Sequence, residues 1–111
     1  VALDLNVLKE LVAEPGLQLE VLKTFNSENT SNIVFLKVAL LGEDTLAIVT
    51  TAHRIKGAAH RVGAKELEVL SLNIEHAAKQ SDLNGTRAAA SQLDAAVQRV
   101  ETEIARFCAD R

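Results

Sequence analysis

Residues 52–75 read AHRIKGAAHRVGAKELEVLSLNIE. At about 100° per residue, Ile48, Ala52, Ile55, Ala59 and Val62 fall on one narrow stripe, the face a helix here would turn to a core. His53 lies roughly 130° from the centre of that stripe, with Lys56, Gly57 and His60 gathered on its side. The imidazole is therefore expected to meet solvent. An exposed histidine beside a lysine is by itself ordinary surface, and Gly57 sets this one apart. Glycine inside a helix costs about 0.5 to 1 kcal/mol relative to alanine. The apolar pattern continues through Ala58, Ala59 and Val62 to a better terminator at Gly63, so Gly57 does not simply mark a fraying end. One turn beyond His53, its missing side chain leaves a notch through which another protein's backbone can approach the ring.

Lys56 is three residues from His53, near enough for its ammonium to bond an oxygen of a phosphoryl group carried on the ring, a charge-assisted bond worth roughly 1.5 to 3 kcal/mol. A neutral, exposed imidazole is already a nucleophile and needs no dedicated base. In the next segment Glu75 and Lys79 share a face with Glu68 and Leu72, flanking the apolar stripe, where a neighbouring helix could present them to His53. The alternative for Glu75 and Lys79 is a solvated i,i+4 ion pair of little energetic consequence.

Working outward, Leu5, Leu8, Leu11 and Val12 recur at helical spacing from Asp4 until Pro15-Gly16 interrupts them, giving a short first helix. Leu22, Phe25, Ile33, Leu36 and Leu40 line one stripe, but residues 26–32 are polar and weakly helix-forming, so this stretch reads as one long helix or two segments. Gly42 closes it, Asp44 is an N-cap, and the third segment runs from Leu46 to Val62. A fourth carries Leu67, Leu70, Ile74 and Ala78. Ser81-Asp82 offers caps for a fifth, whose stripe is Leu93, Ala96, Val97, Val100, Ile104 and Phe107. The pattern predicts an all-α fold, an antiparallel up-and-down four-helix bundle with a short extra N-terminal helix.

The 111 residues fit one domain, 1–111. A hydrophobic share of 48%, with three Phe and no Trp or Tyr, favours helices. A net charge of −3 with both signs scattered, and few aromatic platforms, argues against nucleic-acid binding. No run approaches the roughly 18 to 20 apolar residues of a membrane span, and the start lacks the layout of a signal peptide. The lone Cys108 has no internal disulfide partner and suits a reducing compartment.

The residues from Ala52 to Glu75 resemble the signature of histidine-containing phosphotransfer (HPt) domains: Ala-His, an apolar residue, Lys-Gly, then Gly-Ala and Leu at set distances. The likeness extends weakly over the whole chain and is nearest to the C-terminal modules of unorthodox hybrid sensor kinases of the virulence-sensor type. It implies that His53 takes a phosphoryl group on Nε2 from the aspartate of one receiver domain and passes it to an aspartate on a response regulator. It further implies that Lys56 stabilises the group, Gly57 admits the partner, Glu75 orients the ring, and Lys79 meets the phosphoryl group or the partner. Val49, His60 and Leu72 are expected on the docking side. His60 stands where a small residue is expected; it could tune the site electrostatically, but without a following Lys-Gly it is not favoured as the acceptor. No cofactor is expected in the chain, Mg²⁺ belonging to the receiver. The absence of Met, together with a start at Val1, suggests excision from a longer hybrid kinase, bacterial and cytoplasmic, tethered to the inner membrane only through that parent.

Two other classes compete. His53, His60 and His76 with Glu75 form a familiar zinc set, but His53 and His60 are roughly 10 Å apart along a helix and His76 points away from Glu75. A helical adaptor without chemistry is the other alternative, and the notch beside His53 speaks against it. Autonomous kinase or hydrolase activity is not expected, because no nucleotide-binding glycine loop or catalytic triad is present.

Overall fold

A computed structural model describes residues 2–110, which form six helices and no strand. Asp4 caps α1 (Leu5–Leu11) by accepting from the Asn6 N–H, and α1 buries Leu8. Its end is held by Gln18, whose buried amide donates to the Val12 carbonyl at 2.7 Å. Pro15 occupies the first turn of α2 (Pro15–Leu41), where its missing N–H costs no hydrogen bond.

The stretch that sequence left undecided is one helix of 27 residues. At 1.5 Å per residue it spans about 40 Å, matching the 43 Å long axis of the molecule. The polar run stays helical because the buried apolar stripe holds it on both sides, Leu22 and Phe25 before it and Ile33 and Leu36 after it. Asn29 sits on that stripe with no hydrogen-bond partner for its Oδ1 among the described residues, while Ser27, Glu28, Thr30 and Ser31 face solvent.

Asp44 starts α3 (Thr45–Val62) by accepting from the Ala47 N–H. Gly63 ends it with φ 74°, the left-handed conformation that favours glycine. The Gly63 carbonyl accepts from the Asp4 N–H at 2.8 Å, and a Cβ on Gly63 would run into the Asp4 carbonyl. One glycine thus terminates α3 and seats the N-terminal segment against it. The five stripe residues of α3 are each at most 2% exposed, and α3 packs between α2 and α4 (Lys65–Lys79).

The fifth segment departs from expectation: it is two helices, α5 (Leu83–Ala90) and α6 (Leu93–Ala109). Asp82 caps α5 through the Gly85 N–H, as its position suggested. At the break the Ser91 hydroxyl donates to the Ala88 carbonyl at 2.6 Å, offering that carbonyl a local partner in place of the helical ladder. Together α5 and α6 supply the fourth side of the bundle, and Leu93, Val100, Ile104 and Phe107 close the core.

Candidate functional site

Because the stripe of α3 is anchored on both sides, the opposite face of the helix is fixed in space. His53 stands on it with 65% of its side chain exposed. A Cβ built on Gly57 meets nothing within 4 Å, so the notch is open space. It forms part of a shallow cleft between α2 and α3 lined by Ser27, Ser31, Asn32, His53, Arg54 and Gly57 among others.

Under the ring, α4 presents Glu75, whose side chain is only 5% exposed. Its Oε1 accepts from Lys56 Nζ at 3.0 Å, while Oε2 accepts from Lys79 Nζ at 3.0 Å and lies 3.3 Å from His53 Nδ1. Burial pushes the Glu75 carboxyl up, but the two ammonium groups together outweigh it and hold the acid down at about 2. An ionised carboxylate can only accept, so Nδ1 carries the proton in this contact, and a neutral ring then shows its Nε2 lone pair to solvent.

The sequence brought Glu75 and Lys79 towards His53, and they are there. The wheel placed Lys56 on the histidine's side, but gave no hint that its ammonium rests on Glu75. That pairing spans 19 residues and depends on the register between α3 and α4. Val49 and Leu72 are half-buried beside the same face, and Val49 packs on the core. His60 is exposed, with Nδ1 2.9 Å from Glu68 Oε2. His76 is exposed on the outer side of α4. Among the described residues no group of three His, Cys, Asp or Glu side chains is placed to hold a metal ion.

The sequence reading did not single out the apolar surface formed by Phe35, Val38 and Leu41 on α2 with Leu46 on α3, all more than 60% exposed. Its signal was present, since these residues lie off the core stripe of their helices. Among the described residues, no helix is long and apolar enough to cross a membrane.

Comparisons with known proteins agree with this geometry. The Hpt domain family matches residues 20–103, most of the chain. The HPT domain of a Shewanella hybrid histidine kinase superposes with a TM-score of 0.85 at 20% identity, covering 99% of this chain and 96% of that one. Histidine-containing phosphotransfer protein B of Pseudomonas aeruginosa PAO1 superposes with a TM-score of 0.87 at 25% identity, covering 95% and 92%. No curated protein sequence matches. Hpt domains carry phosphoryl groups and are not themselves kinases. With its helical bundle and exposed histidine, the chain belongs to the Hpt domain family and serves histidine phosphotransfer in a two-component phosphorelay.

Proposed function

We propose that His53 is the phosphoryl carrier, receiving the group from the aspartyl phosphate of one receiver domain and delivering it to the aspartate of a response regulator. The observation that carries this reading is an exposed imidazole whose Nδ1 faces a buried carboxylate, beside open space at Gly57. In the forward step the Nε2 lone pair attacks phosphorus. The N–P bond forms, the P–O bond to the aspartyl carbonyl carbon's oxygen breaks, and the aspartate leaves as a carboxylate. No proton need be removed first, because the proton sits on Nδ1. The ring becomes cationic as the bond forms, and Glu75 lies on the side where that charge appears.

Lys56 and Lys79 rest on Glu75 and are therefore already beside His53 when the phosphoryl group arrives. The new oxygens exchange with Glu75 for the same ammonium groups, so part of the bonding gained replaces bonding given up. A carrier that must release its cargo is served by that near balance. In-line transfer relies on positioning and charge neutralisation, and the divalent ion and acidic pocket are supplied by the receiver. We place the chain as a module of a longer hybrid sensor kinase, with the receivers of that kinase and of a response regulator as partners.

The test mixes the protein with a phosphorylated receiver and no kinase. Wild type should acquire an acid-labile, base-stable phosphoryl group and His53→Gln none. A wild type that stays unmodified, or a His53→Gln that is modified equally, overturns the assignment.

A further inference from the structure

Two turns along α3 from His53, the same two helices repeat the arrangement. His60 is seven residues after His53, and its carboxylate partner Glu68 is seven residues before Glu75, as antiparallel helices require. His60 Nδ1 lies 2.9 Å from Glu68 Oε2, and 73% of its side chain is exposed. Gly57, where a Cβ would meet nothing, lies between the two rings.

The copies differ in their cations. Glu75 holds two lysines at 3.0 Å, whereas among the described residues Glu68 has one lysine, Lys65, at 3.9 Å and 77% exposed. The residue three beyond His60, where His53 has Lys56, is Gly63. His60 is therefore an oriented imidazole whose carboxylate partner holds one loosely placed ammonium group where that of His53 holds two close ones.

Its position gives it a different use. Seven residues of helix separate the two rings by about 10 Å along the axis. Even a small specific interface covers on the order of 600 Å² on each partner, a disc about 14 Å in radius. A receiver centred on His53 with a footprint of that radius reaches His60. We propose that His60 is a specificity-determining contact for the receiver, with Glu68 as a positioning residue that keeps Nε2 turned towards the docked partner. A neutral ring that donates from Nδ1 presents Nε2 as an acceptor, so the preferred receiver places a hydrogen-bond donor there, such as a backbone N–H, a hydroxyl or an ammonium. This deepens the reading of His53 as carrier and rests on it.

The test measures transfer to the full chain from several receivers phosphorylated with acetyl phosphate, alongside phosphoramidate, a donor too small to reach His60 while bound at His53. One hydrogen bond of about 0.5 to 1.5 kcal/mol corresponds to roughly a 2- to 10-fold change. His60→Ala should raise KM by that factor for the receivers used best and leave kcat unchanged. It should also leave the phosphoramidate rate unchanged. His60→Gln, which keeps an acceptor, should recover part of the loss, and Glu68→Gln should raise KM in wild type but not further in His60→Ala. An unaltered KM across the receivers, or an equal loss with phosphoramidate, overturns the role of His60 while leaving His53 standing. A wild type phosphorylated by neither donor refutes the carrier reading, and this proposal falls with it.

Discussion

Replacing Glu75 by Gln tests the electrostatics of the site through stability. The carboxyl is held at about 2 against an ordinary value of 4.5, burial opposing and the hydrogen bonds of Lys56 and Lys79 prevailing. Because the folded value is the lower one, the unfolded chain binds the proton first as the pH falls. The stabilisation is complete above about pH 5 and is lost as pH drops from there towards 2. The gap corresponds to at most about 3 kcal/mol. Solvent screening trims this figure, since Lys79 is 56% exposed. Against a typical domain stability of roughly 5 to 15 kcal/mol, the loss is large enough to read and small enough to leave a folded protein at mild acidity.

The assay is urea unfolding followed by circular dichroism at a series of pH values from 7 to 2.5. Wild type should lose up to about 3 kcal/mol more than Glu75→Gln across that range. The variant should be the weaker protein at pH 7, where Lys56 is left partly buried without its carboxylate. The Glu66 carboxyl is also held low, chiefly by its hydrogen bond to Arg99. It contributes equally to both proteins and cancels in the difference. If the two stabilities fall in parallel, Glu75 is not the depressed acid, and the account of Nδ1 protonation loses its basis.

Two glycines make opposite predictions. Gly57→Ala should raise stability by about 0.5 to 1 kcal/mol in thermal melts, since the helical backbone accepts a Cβ that touches nothing. Gly57→Leu should reduce transfer from a phosphorylated receiver at least about 10-fold, the equivalent of roughly 1.4 kcal/mol, while the phosphoramidate rate is kept. Gly63→Ala should destabilise by more than about 2 kcal/mol in urea titrations, because left-handed strain of about 1 to 2 kcal/mol adds to a collision with the Asp4 backbone.

What the sequence made legible was whatever a single helix decides for itself. The stripe from Ile48 to Val62, the caps at Asp44 and Asp82 and the terminator at Gly63 are local, and they stand as the spacing predicted. The angle of His53 to that stripe was local too, so its exposure followed. Choices between partners were not legible. Residues 26–32 have weak helix propensity, and only the packing of the apolar stripe on either side, Leu22 and Phe25 before and Ile33 and Leu36 after, shows why α2 runs through them. The interruption at Ser91 and Gln92 escaped because both residues keep right-handed helical dihedrals, and the break depends on a serine hydroxyl reaching back three residues.

The same distinction governs the site. A wheel of α3 assigns Lys56 and His60 to the histidine's face, and a wheel of α4 assigns Glu68, Glu75 and Lys79 to one flank. Neither says which residue meets which, because that requires the register of one helix against the other. Once α3 and α4 are antiparallel with His53 level with Glu75, the seven-residue spacing on each helix forces His60 level with Glu68. The lysines are not duplicated with them. Lys56 follows His53 by three and Lys79 follows Glu75 by four, whereas the corresponding positions after His60 and Glu68 are Gly63 and Leu72. An apolar side chain and a helix terminator bring no charge, so of the two similarly oriented imidazoles His53 has a pair of ammonium groups resting on its carboxylate at 3.0 Å, whereas His60 has Lys65 at a looser 3.9 Å from Glu68.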